Sequence, residues 1–211
     1  MECVSGDEIT DWLEKNGFLI ELNSLYAKQS FAALLSDFCH FLYESLLCSF
    51  KGKLTVSLAL LRKPLKDNLF ILENLLIHYE NFYTIINLRD DHIKIANDSV
   101  QPEDKQKIID QAIKSVGLED IFSSDFIYSL RYDKRSDDGF EPLWQTANHL
   151  ITNCKHYCTE KGNINFIFSD TNDKISQWTF LYDKLPWLLY YALKIILHIA
   201  RTRIDIEPMI Y

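Results

Sequence analysis

The chain has 211 residues, with 47% apolar and 13% aromatic side chains but only 6 Gly and 5 Pro, which excludes a disordered chain and a turn-rich all-β fold. Its formal charge is −8 and its pI about 5.2, so a broad basic surface for gripping nucleic acid is excluded and any such binding would need a local patch. The length suits one sizeable core, and a single helical domain over residues 1–211 is expected.

In chain order, Glu8–Glu14 reads as a short amphipathic helix with Ile9, Trp12 and Leu13 inward, capped by Asp7 and ended at Asn16-Gly17. A second helix is expected from about Ser24 to Phe50, where Leu34, Leu35, Phe38, Phe41, Leu42 and Leu46 recur at helical spacing. Leu54–Leu88 is the most apolar segment. Leu54, Leu58, Leu61, Leu65, Leu69, Leu72, Leu75 and Leu76 keep a helical period, and Leu60, Phe70, Ile71, Ile77 and Tyr79 fill other faces, as in a central helix. Pro64 removes one hydrogen bond and clashes with the carbonyl of Leu60, so a kink or break is expected there.

Asp90–Val100 is polar, a short helix or a loop, and Asp90–Gln101 is the leading candidate for a mobile insertion. Pro102-Glu-Asp opens a surface helix that runs to Ser115 and stops at Gly117. Leu118–Leu130 reads as helix, Arg131–Gly139 as a polar loop, and Pro142–Tyr157 as helix again. Asn163–Ser169 alternates apolar and polar residues and reads as the one extended segment. The last helix spans about Asp173–Arg203, with a kink expected at Pro186, and Ile204–Tyr211 is a loose end.

The five cysteines, Cys3, Cys39, Cys48, Cys154 and Cys158, are odd in number. The acidic start lacks the basic and apolar regions of a secretory signal, so reduced thiols in a cytoplasmic protein are expected. Leu185–Ala200 is the stretch most like a membrane span. It is shorter than the roughly 20 residues a bilayer core needs and contains Lys194, so a buried helix is expected and no membrane partner.

The chemistry-bearing residues fall into a few groups. Cys154-Lys-His-Tyr-Cys158 would place two thiols on one helix face, but the second pair of a four-ligand zinc site is missing; Cys39-His40 is the one neighbouring-type alternative, and no metal is expected. Arg62, Lys66 and Asp67 interrupt the apolar third segment. They either satisfy one another and the backbone freed by Pro64, through Lys63 with Asp67 and Arg62 with Lys66 and Glu73, or line a polar cleft opened by the kink. Arg131-Tyr-Asp-Lys-Arg135 could meet a phosphate or an RNA backbone, although Asp133, Asp137 and Asp138 cancel much of its field. His149, beside Asn148, is the histidine best suited to general-base work, and His198 in the apolar C-terminal run reads as structural. Walker, dinucleotide-glycine, zinc-protease and serine-elbow motifs are absent, so no cofactor is expected.

The run Ala59-Leu-Leu-Arg-Lys-Pro-Leu-Lys-Asp-Asn-Leu-Phe-Ile-Leu-Glu73 resembles helical bacterial proteins of the HEPN-like class, which often carry an Arg, a nearby acid and a long apolar continuation on a core helix. Arg131-Tyr-Asp-Lys134, Leu143–Leu150, Asn163–Ser169, Gln177-Trp178 and Leu185-Pro186 look like an uncharacterised bacterial family, so the resemblance covers most of residues 54–190. The HEPN-like class includes ribonuclease toxins and defence modules that use Arg-x(4–6)-His. That spacing is missing here: no His follows Arg62 until His78, Arg89 lies three residues before His92, and Arg131 and Arg135 are too far from His149. The resemblance therefore implies a helical fold without the nuclease motif.

The expectation is an all-α helical bundle around two long proline-kinked core helices, Leu54–Leu88 and Asp173–Arg203, with at most one short extended segment. The leading functional reading is a non-catalytic interaction module tied to bacterial defence or RNA-related machinery, with a protein partner, a second copy of the chain included. The alternative is an enzyme acting on RNA or nucleotides from a cleft of Arg62, Asp67, Arg131, Lys134 and His149. A third is a small-ligand sensor whose cavity is lined by Trp144, Trp178 and Trp187.

Overall fold

The computed structural model describes residues 6–87, 100–167 and 169–204, and among these the fold is all-α, with no strand. Helix α1 (Gly6–Lys15) starts one residue before the expected cap Asp7, and Gly17 takes the left-handed φ of 78° that ends it. Helix α2 (Leu19–Phe50) is longer than the periodicity suggested at its N-terminal end. Helix α3 (Leu54–Arg62) runs into a π-helical turn (Lys63–Asn68) and on into α4 (Leu69–Ile77). The helical path is thus not broken at Pro64 but changes hydrogen-bond register, with the Leu69 N–H donating to the Pro64 carbonyl five residues back. It does stop at His78, before the expected Leu88, and a 3₁₀ turn (Tyr79–Asn81) leads into α5 (Phe82–Asn87). Most of the proposed insertion Asp90–Gln101 and the tail after Ile204 lie outside the described residues.

Helix α6 (Pro102–Ser115) has the expected proline start and ends before Gly117, whose φ is 66°. Helix α7 (Ser124–Tyr132) begins later than Leu118, because a single turn at Leu118–Phe122 comes first and the Ser123 hydroxyl then accepts the Phe126 N–H at 3.2 Å. It also takes in Arg131 and Tyr132, which the sequence placed in a loop. Helix α8 (Phe140–Asn148) stops well short of Tyr157. The Asn148 amide turns back onto the Trp144 carbonyl at 2.8 Å, and His149 is extended. Asn163–Ser169 forms turns where it is described, not a strand; Phe166 has a φ of 58°, which alternation of side chains does not foresee. Helix α9 (Thr171–Thr202) starts on a capping box in which Asp170 and Asp173 each accept the other's backbone N–H at 2.9 Å, and Pro186 lies inside it without interrupting it.

The buried apolar side chains form one cluster fed by α2 to α9. The α3–π–α4 helix is at its centre, against α2 on one side and α6, α8 and α9 on others. Leu58, Leu61, Leu65, Leu69 and Leu72 are fully buried, and each contributes about 1.5–3 kcal/mol relative to exposure. Among the described residues one helix, α2, is long and apolar enough to cross a membrane, by length and composition; Leu185–Ala200 belongs to α9, whose Leu185, Leu188, Tyr191, Ala192, Ile195 and Ile199 are buried in the core.

A charged network crosses this core. Arg131, fully buried, donates to Glu73, also fully buried, and Glu73 Oε1 accepts from the Tyr191 hydroxyl at 2.8 Å. Burial alone would lower the Arg131 pKa, but the Glu73 carboxylate outweighs it and holds the guanidinium charged. Replacing Arg131 with Leu should cost about 3–5 kcal/mol, because it strands a buried carboxylate, whereas Arg131→Leu with Glu73→Leu should cost less than Arg131→Leu alone. Urea denaturation of the three variants followed by helical circular dichroism checks the ordering; an equal or larger loss in the double variant refutes it.

Candidate functional site

A cleft of about 920 Å³ opens where the π turn, the start of α6, the end of α7, α8 and the 149–167 segment meet. Its cations are Lys66, Lys105, Lys134 and Arg135, facing the carboxylates Glu103, Asp133 and Glu141; this leaves an excess of one positive charge in a chain whose net charge is −8. Tyr128 and Tyr132, Gln101, Gln106 and Gln145, and Cys154 and His156 complete most of the wall.

Each element sets its side chain by its own geometry. Lys66 comes from the π turn and is only 4% exposed; its Nζ lies 3.0 Å from Glu141 Oε1 and 2.9 Å from Oε2. Glu141 stands on the first turn of α8, and its Oε1 also accepts the Gln145 amide at 2.9 Å one turn on. Lys105 is 8% exposed, with its Nζ 4.7 Å from the centre of the Tyr132 ring. Lys134 and Arg135 lie on the exposed loop after α7, where the Asp133 carboxylate accepts the Arg135 backbone N–H at 2.9 Å. That loop is pinned at its far end. A Cβ on Gly139 would sit 2.6 Å from the Ser129 carbonyl, and the Ser129 hydroxyl donates to Ser136 at 3.0 Å. The N-terminus of α6 also faces the cleft, but Glu103 and Asp104 occupy its first turn, so the cations rather than the helix end make the site attractive to anions.

The 149–167 segment is held by side-chain bonds in place of secondary structure. Thr152 and Thr159 bond each other's backbone, with the Thr152 N–H reaching Thr159 Oγ1 at 2.8 Å and the Thr159 N–H reaching the Thr152 carbonyl at 2.9 Å. Asn165 ties the far end back by donating to the His149 carbonyl at 2.8 Å. This cage presents Cys154 and His156 to the cleft on a turn closed by the Tyr157 N–H onto the Cys154 carbonyl at 3.1 Å. Cys154 and Cys158 are therefore not on a helix face, and both are free thiols. Among the described residues no group of three or more His, Cys, Asp or Glu side chains is placed to hold a metal ion.

No family model matches the chain, and neither a curated protein nor a solved structure matches it.

The five residues picked from the sequence do not meet in one place. Only Lys134 lines the cleft. Arg62 pairs with Asp67 at 3.2 Å, five residues apart, the spacing a π turn brings together in place of the expected Lys63–Asp67 pair. Lys63 instead reaches Asp37 on α2 at 2.8 Å, and Asn68 donates to the same carboxylate at 2.7 Å. Burial raises the Asp37 pKa, but the bonds from Asn68 and Lys63 and the Lys63 charge more than offset it, so the net shift is downward. Arg131 is locked in the core, and His149 is exposed past the end of α8. Of the three tryptophans proposed for a cavity, Trp144 is buried against Phe140, Trp178 donates to the Ser49 carbonyl at 3.1 Å, and Trp187 is 47% exposed; none lines the cleft. The sequence did carry one unread signal for the cleft: Lys105 lies four residues before Ile109, on the buried stripe of α6.

The Cys154 thiol is shifted below its ordinary pKa, first by the His156 backbone N–H and then by Tyr157 and the charge of Lys134, against an opposing contribution from burial. Burial and the bond to Cys154 push the Tyr157 hydroxyl up to about 12. A lower thiol pKa means more thiolate at neutral pH, so Cys154 should be alkylated by iodoacetamide ahead of the more exposed Cys158. Peptide mass spectrometry over a time course reads the order; faster labelling of Cys158 contradicts it.

Proposed function

We propose that the protein is a non-catalytic helical binding module that takes a phosphate-bearing ligand of the nucleotide or RNA type in the cleft between α6, α7 and α8. The observation that carries this reading is the placement of two nearly buried lysines, Lys66 and Lys105, in a cleft that also gathers Lys134 and Arg135 in an otherwise acidic chain. Desolvated cations interact with an anion far more strongly than surface lysines do, and Tyr128 and the three glutamines supply stacking and amide groups suited to a base. The resemblance of Ala59–Glu73 to HEPN-like proteins supports a place in bacterial defence or RNA-related machinery. Catalysis receives less support, since Arg62, Asp67 and His149 lie outside the cleft lining and Arg131 is committed to Glu73.

A short 5′-phosphorylated RNA labelled at its 3′ end should bind in fluorescence anisotropy, more weakly as salt rises. Lys105→Ala and Lys134→Ala should each lower the affinity by about tenfold or more. The RNA should be recovered intact on a denaturing gel. Absence of binding at low salt, or binding indifferent to both substitutions, refutes the reading, and cleavage of the RNA would favour the enzyme alternative.

A further inference from the structure

We infer that the exposed apolar face where α9 meets the start of α7 is a two-fold interface on which a second copy of this chain docks. Its residues, Ile121, Phe126, Trp187, Tyr190, Leu193 and Leu197, are outside the cleft lining, so the inference does not depend on the binding reading above.

Helix α9 carries two apolar stripes. One, from Leu181 to Ile199, is buried in the core. The other, Trp187, Tyr190, Leu193 and Leu197, recurs every three or four residues on a different face and stays between 36% and 50% exposed. Phe126 widens it: its ring centre lies 6.4 Å from that of Trp187, nearly at right angles. The buried Phe122 ring joins them from below, 6.2 Å from Trp187 and 6.1 Å from Tyr190. Single exposed apolar side chains are ordinary on a surface, whereas a contiguous set of this kind marks a contact.

Composition and area point to a protein of the same kind. Between Pro186 and Leu197 the helix has a single charge, Lys194, whose Nζ lies 5.4 Å from the centre of the Tyr190 ring. The other charges of α9, Asp173, Lys174, Asp183, Lys184 and Arg201, flank that stretch. An aromatic centre inside a charged rim is the make-up of a protein interface, and one lysine is not the basic cluster that an anionic membrane or a nucleic acid requires. At roughly 200 Å² for a fully exposed large side chain, the six residues leave about 500–600 Å² in water, so two copies face to face would bury about 1,000–1,200 Å², what a modest but specific dimer needs. A second copy brings the matching apolar face with it, since a two-fold axis crossing α9 sets the same stripe against itself.

Light scattering on the full chain should show the mass rise from the 24.8 kDa of one copy to twice that as concentration increases through the micromolar range. Each substitution enters a two-fold interface twice, so Leu193→Glu and Trp187→Glu should each weaken dimerisation by about a hundredfold, with helical circular dichroism unchanged. Tyr43→Glu, on the exposed side of α2, should leave the dimer as it is. A single-copy mass at every concentration up to about 100 µM overturns the inference. So does a dimer that survives Leu193→Glu, or one that Tyr43→Glu dissociates. Should Trp187→Glu not fold, because its ring packs on Phe122, Leu193→Glu decides alone. Protein that stays monomeric and is captured by phosphatidylcholine vesicles would make the face a lipid contact and overturn the inference as well.

Discussion

A helix cannot lose a donor in its interior without leaving an acceptor over, and Pro64 imposes that deficit in the middle of the most buried helix of the fold. The acceptor it leaves is the Leu60 carbonyl one turn back, and the chain passes the proline in a π register. Just beyond, two backbone carbonyls accept from side chains of α7. Arg131 Nε donates to the Leu65 carbonyl at 2.8 Å, and the Lys66 carbonyl receives Arg131 Nη2 at 3.5 Å and the Tyr132 hydroxyl at 3.4 Å. The π turn shifts the register past the proline, and the guanidinium donates to the two carbonyls that follow it in the same turn.

That placement has a cost, which Glu73 and Tyr191 offset. A guanidinium brought into the core must be paired, and the pairing carboxylate comes from α4, on the far side of the π turn, with Tyr191 of α9 adding a hydrogen bond. Burial, and then the charge of Glu73, raise the Tyr191 hydroxyl well above its ordinary pKa, so it stays a donor across any ordinary pH. Four elements, the π turn, α4, α7 and α9, are therefore registered to one another through one arginine. Apolar packing tolerates small slides between helices; a set of directional bonds about a planar fork does not. The same registration fixes the cleft, since Lys66 follows Leu65 in the π turn, and Lys134 and Arg135 follow Arg131 and Tyr132 off the end of α7.

The helices were legible in the sequence wherever a long apolar period or a proline start marked them, as in α2, α3, α6 and α9. Boundaries failed where side chains compete with the helix for backbone groups: Ser123 delays α7, and Asn148 ends α8 early. Asn163–Ser169 alternates like a strand, but no other strand exists among the described residues for it to pair with, and Asn165 spends its amide on the His149 carbonyl and the Thr152 hydroxyl instead. The site was harder to see because local spacing says nothing of partners far away in the chain. Arg131 looked like part of a solvated basic loop, yet its carboxylate is 58 residues away; Lys66 looked destined for a neighbour on its own helix, yet its partner Glu141 is 75 residues on. What the sequence did show was that Arg62, Lys66 and Asp67 break an apolar run beside Pro64, which is where the polar chemistry of the core begins.

Two ion pairs sit a few residues apart along the same helix, and their surroundings assign them different work. Arg131–Glu73 is fully buried, with the other guanidinium nitrogens on the Leu65 and Lys66 carbonyls and the Tyr191 hydroxyl on Glu73. Lys66–Glu141 borders open volume, with Lys105 and the cations of the loop around the same space. An ion pair in a dry core has one geometry and serves the fold, whereas the Lys66–Glu141 pair keeps one side toward the open volume of the cleft. The polar groups beside Pro64 thus end, one residue beyond Leu65, at a lysine that lines the cleft, so the turn that receives the Arg131 bonds also places the charge around which the cleft is built.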